Sequence, residues 1–262
     1  MMWQKVLLQV STVLIIACHP GQAQQQDAMV LIPGGNFQPF LQEQPGKKVY
    51  VPDFTISTAP VTNAQFLEFV KANPQWAKSK VKPIFADRNY LQHWKSDEDP
   101  GDQVQLQAPV TNVSWFAAKA YAQWKNQRLP VMNEWEYAAA IPPAGKQRGV
   151  PLEKIILEWY SKPTPKTLPP VTTGYVNTAG IYDMYGLVWE WVDDFNNLIM
   201  SNDSRSNEVE KKFVCGAGAL NAADTRDYAA FMRYAFRNSL KANYTVKNLG
   251  FRCAADTKNI HK

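Results

Sequence analysis

The stretch Gly180-Ile181-Tyr182-Asp183-Met184-Tyr185-Gly186-Leu187-Val188-Trp189-Glu190-Trp191 places two tryptophans, two carboxylates and two glycines within twelve residues. Side chains of an extended chain alternate between two faces. Trp189 and Trp191 are therefore predicted to share one face as core anchors, with Glu190 pointing the other way. A carboxylate pinned in this manner suits either a metal ligand or a buried hydrogen-bond acceptor, and the pattern alone favours a structural strand.

The composition is that of a folded chain with many loops. Of its 262 residues, 45% are hydrophobic and 12% aromatic, which is ample for a core. Its 18 prolines and 13 glycines argue against a long helical bundle. The net charge of +5 is spread among acidic residues without a basic run, so no nucleic-acid surface is expected. The three histidines (His19, His93 and His261) are too scattered for a three-histidine metal site.

Residues 1–23 have the features of an export signal. Lys5 precedes an apolar run over residues 6–18 that is too short to cross a bilayer. Two cleavage points fit: one follows Gly21-Gln22-Ala23, and the other precedes Cys18, where Ile15-Ile16-Ala17-Cys18 resembles a bacterial lipobox. We expect an exported protein, in the periplasm or lipid-anchored at the cell envelope through Cys18, whose membrane contact is limited to that anchor.

Export makes the remaining cysteines informative. After either cleavage, Cys215 and Cys253 are left in the folded body. Two cysteines in an oxidising compartment most often form a disulfide. Two free thiols and a thiolate metal site remain as alternatives.

The periodicity of apolar residues predicts short strands and a few helices. Strands are expected at residues 30–37, 48–56, 213–219 and 249–254. Helices are expected at 63–73, where Thr62 and Gln65 have capping-box spacing, at 115–126 after Ser114, and from Asn133 to Ala140. Residues 74–109, 141–170 and 196–212 are expected to be loops.

These segments, in this order, resemble the formylglycine-generating-enzyme (sulfatase-modifying factor) family. Besides the opening stretch, the resemblance rests on Ile32-Pro33-Gly34-Gly35-Asn36-Phe37, Pro60-Val61-Thr62-Asn63-Ala64-Gln65-Phe66, Pro109-Val110-Thr111-Asn112-Val113-Ser114-Trp115, Arg128-Leu129-Pro130, Glu134-Trp135-Glu136-Tyr137-Ala138 and Asn248-Leu249-Gly250-Phe251-Arg252-Cys253. It implies a single α+β domain over residues 29–255, poor in regular secondary structure and related to C-type lectins. Residues 256–262 would form a tail.

The family's known activity converts a substrate cysteine to formylglycine with oxygen and copper, and it uses two active-site cysteines. The resemblance places Asp224 and Ala229 at those two positions. A soft thiolate pair is what holds Cu(I), and neither residue supplies one. Formylglycine synthesis by the known mechanism is therefore not expected.

The departures from the family pattern are most similar to a branch of exported proteins encoded beside copper nitrite reductases. The similarity lies in Cys215-Gly216-Ala217-Gly218 and Tyr228-Ala229-Ala230-Phe231-Met232-Arg233. It implies an accessory protein whose protein or peptide partner is a periplasmic copper enzyme such as nitrite reductase. The alternatives are an oxidoreductase of the same fold, acting on a peptide or small molecule with different residues, and a structural cell-surface lipoprotein.

The resemblance also implies a metal site in the opening stretch. Asp183, the carbonyls of Gly186 and Val188, and Glu190 match a family calcium site, and hard oxygen ligands of this kind suit calcium. Calcium here would be structural.

Two further sites follow from the resemblance. Cys215 and Cys253 are expected on neighbouring strands, close enough for a disulfide, and a copper relay of Cys215 with Met232 or Met200 is the alternative. The family's active-site segment is replaced by residues that would bind a partner in a surface groove or form a solvated charged loop: Asp224, Asp227, Tyr228, Met232, Arg233 and Tyr234. Arg237 and Arg252 match family arginines and are expected to be structural.

Overall fold

The computed structural model describes residues 28–39, 47–196 and 225–257 of the chain. Within these residues, short strands and helices alternate with long loops, in the mixed α+β arrangement predicted. The predicted signal segment with Cys18, the predicted strand at 213–219 with Cys215, and Asp224 and Met200 lie outside the described residues.

The described strands pair into three small sheets. An antiparallel sheet has the order β1-β4-β7 and consists of β1 (Met29–Ile32), β4 (Phe54–Ser57) and β7 (Ala254–Asp256). A hairpin joins β2 (Gly35–Phe37) to β3 (Val49–Val51). The opening motif supplies β5 (Trp189–Trp191), which pairs in parallel with β6 (Leu249–Phe251) and places Glu190 opposite Gly250.

The helices flank these sheets. In chain order they are α1 (Asn63–Ala72), α2 (Gln103–Gln107), α3 (Trp115–Trp124), α4 (Met132–Ala139), α5 (Leu152–Tyr160) and α6 (Thr225–Asn238). In the part of the chain that the structure describes, none of them has the length and apolar content needed to cross a membrane.

Two helix starts follow directly from the sequence. At α1 the Thr62 hydroxyl accepts a hydrogen bond from the Gln65 amide at 3.2 Å, and the Gln65 side chain accepts one from the Thr62 amide at 2.8 Å. This reciprocal pair satisfies two backbone donors that a helix start otherwise leaves open. At α3 the Ser114 hydroxyl accepts from the Ala117 amide at 3.2 Å. Both predicted caps are confirmed.

Other element predictions were wrong. Helix α4 begins at Met132, because the Glu134 carboxylate accepts from the Val131 amide at 2.9 Å and closes half of a capping box without a side-chain cap from Asn133. Helix α5 lies in a stretch expected to be a loop, although its apolar residues recur at helical spacing. The segment read as either a groove or a solvated charged loop is helix α6, which excludes the loop.

An aromatic core lies between α1, α3 and β6. Phe66 is fully buried and its ring contacts four others, those of Phe69, Trp94, Tyr121 and Phe251, at centroid distances of 5.3 to 6.2 Å. Burying aromatic rings in this geometry stabilises the fold beyond the area they remove from water. Strand β6 is thereby fixed against both helices, which positions Arg252 just after it.

Candidate functional site

The carboxylate of the opening motif forms a buried ion pair. Arg252 Nε donates to Glu190 Oε2 at 2.7 Å and its Nη2 donates to Oε1 at 2.8 Å, and both side chains are 0% exposed. Trp135 Nε1 donates to the same Oε2 at 2.7 Å. Arg252 also donates to the carbonyls of Ser57 at 3.1 Å and Tyr182 at 2.9 Å. Each Glu190 oxygen therefore has a partner, as a buried charge requires.

The two tryptophans of the motif pack on the opposite side of the strand from this pair. Trp191 is buried and its indole N–H donates to the Val113 carbonyl at 2.9 Å. Trp189 is half-buried, stacked on Tyr160 with ring centroids 5.0 Å apart and packed on Phe236 at 4.5 Å. The motif thus joins α5, α6 and strand β6.

Asp183 sits in a tight, buried turn. Its φ of 58° is in the left-handed region, which Asp tolerates better than most residues. Its Oδ2 accepts a hydrogen bond from the Thr172 amide at 2.6 Å. Burial raises the pKa of Asp183 to about 6, although hydrogen bonds from the backbone amides of Thr172 and Gly174 and the nearby charge of Arg252 oppose this. The turn holds the Asp183 carboxyl group in place but removes it from water, which disfavours its charged form.

These contacts do not fit the implied calcium ligand set. Calcium takes about six to eight oxygen ligands, but the Glu190 carboxylate is already neutralised by Arg252 and shared with Trp135. The calcium site of Asp183, Gly186, Val188 and Glu190 stays a prediction, and the contacts of Glu190 favour an ion pair.

A second buried charge network links α4 to α6. Glu136 Oε2 accepts from Arg233 Nη2 at 2.7 Å, and Glu136 Oε1 accepts from Arg237 Nη1 at 2.7 Å. The Arg237 guanidinium lies 4.6 Å above the Trp135 ring, and that of Arg233 lies 5.5 Å from the Tyr185 ring. Trp135 therefore touches both networks, through its N–H and through its face.

The electrostatics of this network follow from burial and pairing. Burial alone would raise the pKa of Glu136, but Arg233 and Arg237 outweigh it and hold that pKa below its usual value. Burial raises the pKa of Tyr160 to about 12 and that of Tyr185 further still. Glu136 stays charged and the two phenols stay protonated at neutral pH, so none of the three is poised to exchange a proton.

Ala229 lies on the first turns of α6 and is 1% exposed. Its carbonyl accepts hydrogen bonds from Arg233 Nη1 at 3.1 Å and from the Tyr160 hydroxyl at 3.4 Å. The position that the resemblance equates with a catalytic cysteine is therefore filled by a methyl group packed among α5 and α6.

The residues predicted to form a partner groove separate on α6. Tyr228 is 40% exposed and Met232, one helical turn later, is half-buried, so these two share an outer face. Arg233 and Tyr234 face inward and are buried. The helix includes Asp227, and Asp224 lies outside the described residues.

Cys253 is buried between β6 and β7. Its predicted disulfide partner, Cys215, lies outside the described residues, as does Met200 of the alternative copper relay. The disulfide and the relay both stay predictions.

Clefts open on the surface of the described chain, and two of them have charged residues in their walls. One, of about 510 Å³, lies between α5 and residues 173–186 and includes Lys146, Glu158, Trp159, Lys162 and Tyr175. The other, of about 280 Å³, lies beside the start of α1 and is lined mainly by polar residues. Neither includes Tyr228 or Arg233.

The sequence patterns did not predict the buried ion-pair network at Glu136 or the polar cleft beside α1. Glu136 was placed in the predicted helix from Asn133 to Ala140, and its partners Arg233 and Arg237 lie 97 and 101 residues later. His93 was considered only as a member of a three-histidine metal site, which was not expected. Its role depends on Asn63, distant in sequence, and no local pattern shows that contact.

Comparisons with known proteins place the chain among both active and inactive relatives. The inactive C-alpha-formylglycine-generating enzyme 2 of Mus musculus is 29% identical over 280 residues, covering 88% of this chain and 86% of the relative. The formylglycine-generating enzyme of Thermomonospora curvata is 29% identical over 293 residues, covering 87% of this chain and 93% of the relative. Because both kinds are similar to this chain, similarity alone does not decide whether it is catalytic.

The comparison with solved structures finds similar chains at low identity. PvdO from Pseudomonas aeruginosa has a TM-score of 0.49 and 21% identity, covering 87% of this chain and 94% of that one. A family model, the sulfatase-modifying factor enzyme 1-like domain, matches residues 17–257 and so nearly the whole chain. The chain belongs to the sulfatase-modifying factor enzyme 1-like family, the family of the formylglycine-generating enzymes, as its motifs predicted.

Proposed function

We propose that the protein is a non-catalytic accessory member of its family, which binds an exported copper enzyme such as nitrite reductase and helps it to mature. The observation that carries this proposal is Ala229. A buried alanine with an occupied carbonyl stands where the resemblance puts a catalytic cysteine. A methyl group cannot bind Cu(I) or act as a nucleophile.

The surroundings of Ala229 offer no obvious replacement among the described residues. Arg233 and Arg237 are committed to Glu136, and the phenols of Tyr160 and Tyr185 are kept protonated by burial. A general base needs a pKa near the working pH, and these groups lie far from it. The contacts therefore favour a binding role over an oxidoreductase that uses this helix.

Partner binding would use the outer face of α6. Tyr228 is the exposed aromatic residue on that face and Met232 adjoins it. Phenol rings and thioethers supply large contact area and are common in protein interfaces. The choice of a copper nitrite reductase rests on the resemblance of residues 228–233 to the branch encoded beside such enzymes, and export rests on residues 1–23.

The first test addresses catalysis. Purified protein would be incubated with Cu(I), oxygen and a cysteine-containing sulfatase peptide, and the peptide would be examined by mass spectrometry for the mass loss of formylglycine formation. No conversion is expected, whereas a formylglycine-generating enzyme in the same assay converts the peptide. Turnover by this protein would overturn the non-catalytic assignment.

The second test addresses the partner. A deletion strain would be assayed for nitrite reduction and for the copper content of its purified reductase, with the wild-type gene and two matched variants returned to it. Tyr228→Ala should restore activity poorly, and Tyr244→Ala, which removes a similarly exposed ring (36% against 40%) outside α6, should restore it fully. Full copper loading in the deletion strain would contradict the accessory role. Equal restoration by both variants would remove Tyr228 from the contact.

A further inference from the structure

The cleft beside the start of α1 is built from buried polar side chains. It encloses about 280 Å³ and is lined by Asn63, His93, Gln105, Ala108, Pro109, Thr111, Asn112, Thr164, Pro165, Lys166, Leu168 and Lys247. Asn63, Thr111 and Asn112 are at most 5% exposed. Among the described residues, none of their buried side-chain atoms lacks a hydrogen-bond partner, so this wall of the cleft is held in place from within the protein.

Asn63 fixes the orientation of His93. The Asn63 amide nitrogen donates to the carbonyls of Gln105 at 2.9 Å and Ala108 at 3.2 Å, which identifies its oxygen as the acceptor. That oxygen accepts from Trp94 Nε1 at 2.8 Å and lies 3.2 Å from His93 Nε2. Nε2 must therefore carry a proton, and the ring is held at the edge of the cleft in one orientation.

The wall behind His93 has an unusual backbone. Leu91 and Asn112 both have positive φ, at 45° and 52°, and the Leu91 amide donates to the Asn112 carbonyl at 2.9 Å. A left-handed conformation is unfavourable for leucine, and such residues concentrate at ligand sites where the surrounding structure enforces them. The geometry keeps the Asn112 side chain against the cleft.

The charged residues that line the cleft are positive. Lys166 and Lys247 both line it, and none of the described lining residues is acidic. Lys78 is also close enough to act electrostatically on His93. Two ammonium groups beside hydroxyl and amide donors form the pattern that recognises an oxyanion.

We propose that this cleft binds a small carboxylate- or phosphate-bearing molecule, with Lys166 and Lys247 pairing with its oxyanion and the Thr111–Asn112 wall and His93 contacting its polar body. The volume suits a molecule of a few to about ten heavy atoms, smaller than the drug-sized ligands that fill clefts of ~300–1,000 Å³. This site is separate from Ala229 and the α6 face, and it stands whether or not the protein has the accessory role.

Calorimetric titration of the purified protein with inorganic phosphate and with succinate tests the proposal and separates the two sources of oxyanion. One of the two probes should bind at one site per chain. Lys166→Ala with Lys247→Ala should weaken that binding about tenfold, since both charge-assisted contacts are lost. In an NMR titration the Trp94 indole N–H signal should shift, because that group shares the Asn63 oxygen with His93.

The chain offers a matched control. Lys146→Ala with Lys162→Ala removes the same charge from the larger cleft beside α5 and should change the affinity less than about twofold, because distant exposed charges are screened. An equal loss in both double variants would mean general attraction to a basic protein and would overturn the site. Failure of both probes to saturate at millimolar concentration would overturn it as well. The four lysines are exposed, so all variants should fold.

Discussion

Replacing Glu190 with Gln tests whether the opening motif is held by an ion pair or by a metal. The substitution preserves the shape of the side chain and removes its charge. Arg252, which is 0% exposed, would keep its positive charge with no counter-charge. In the wild type, Arg252 and the Trp135 N–H donate to the two oxygens of Glu190 at 2.7 to 2.8 Å. The amide nitrogen of the glutamine cannot accept a hydrogen bond, so it would face one of these donors without pairing.

The expected cost is large because the pair is fully buried. Removing one member of a buried ion pair destabilises a protein by about 3–5 kcal/mol. In a domain of this size each kcal/mol lowers the melting temperature by about 2–4 °C, so a fall of roughly 10 °C is expected. Urea unfolding followed by tryptophan fluorescence measures the free energy. The double variant with Arg252→Met should lose less than Glu190→Gln alone, since no unpaired charge remains.

Chelation separates the two explanations. If Arg252 is the partner of Glu190, the cost of Glu190→Gln is the same in calcium-containing buffer and in excess EDTA. If Glu190 binds calcium, EDTA destabilises the wild type and the variant then costs little more. A loss below about 1 kcal/mol, within the range of ordinary substitutions, or a loss that disappears in EDTA, would refute the ion-pair explanation.

Three further predictions use the same unfolding assay. The pKa of Asp183 is about 6 in the folded protein and 3.8 in the unfolded chain, so its contribution to stability is present below pH 4 and is lost as the pH rises through 6. In metal-free buffer, Asp183→Asn should remove this decline of about 3 kcal/mol in the free energy of unfolding. An unchanged pH profile would contradict the buried carboxyl group. Glu136→Gln should cost about 3–5 kcal/mol and be partly rescued by Arg237→Met; no rescue would mean the two do not share a network. Thr62→Ala should cost about 1 kcal/mol, and a neutral result would dismiss its cap.

Short sequence patterns correctly predicted the features that depend on neighbouring residues, such as helix caps and the buried face of a strand. Thr62 and Ser114 cap helices because a hydroxyl three residues before an amide satisfies it in any context. Trp191 was predicted to be a core anchor from its alternation with Glu190, and it is buried. The family was predicted from the order of its motifs and is confirmed by the match over residues 17–257.

The side-chain contacts that the sequence did not predict join residues far apart in the chain. The calcium site at Glu190 was implied by the resemblance, and no local pattern shows that Arg252, 62 residues later, reaches Glu190 beside a parallel strand pair. Arg233 was placed in a surface groove because helix α6 was not recognised, and its burial depends on Glu136, 97 residues earlier. In both cases the partner of the charged side chain comes from a distant segment, which a local pattern does not show.

The two networks also bear on how an accessory function could be carried by this fold. Trp135 donates to Glu190 and lies beneath Arg237, so it joins the motif strand to the inner face of α6. Glu136, its neighbour, holds the same helix through Arg233. With α6 fixed from within by these charges, its position does not depend on catalytic cysteines or on copper. The outer face at Tyr228 is then free to change in sequence without loss of stability, as the proposed binding surface requires.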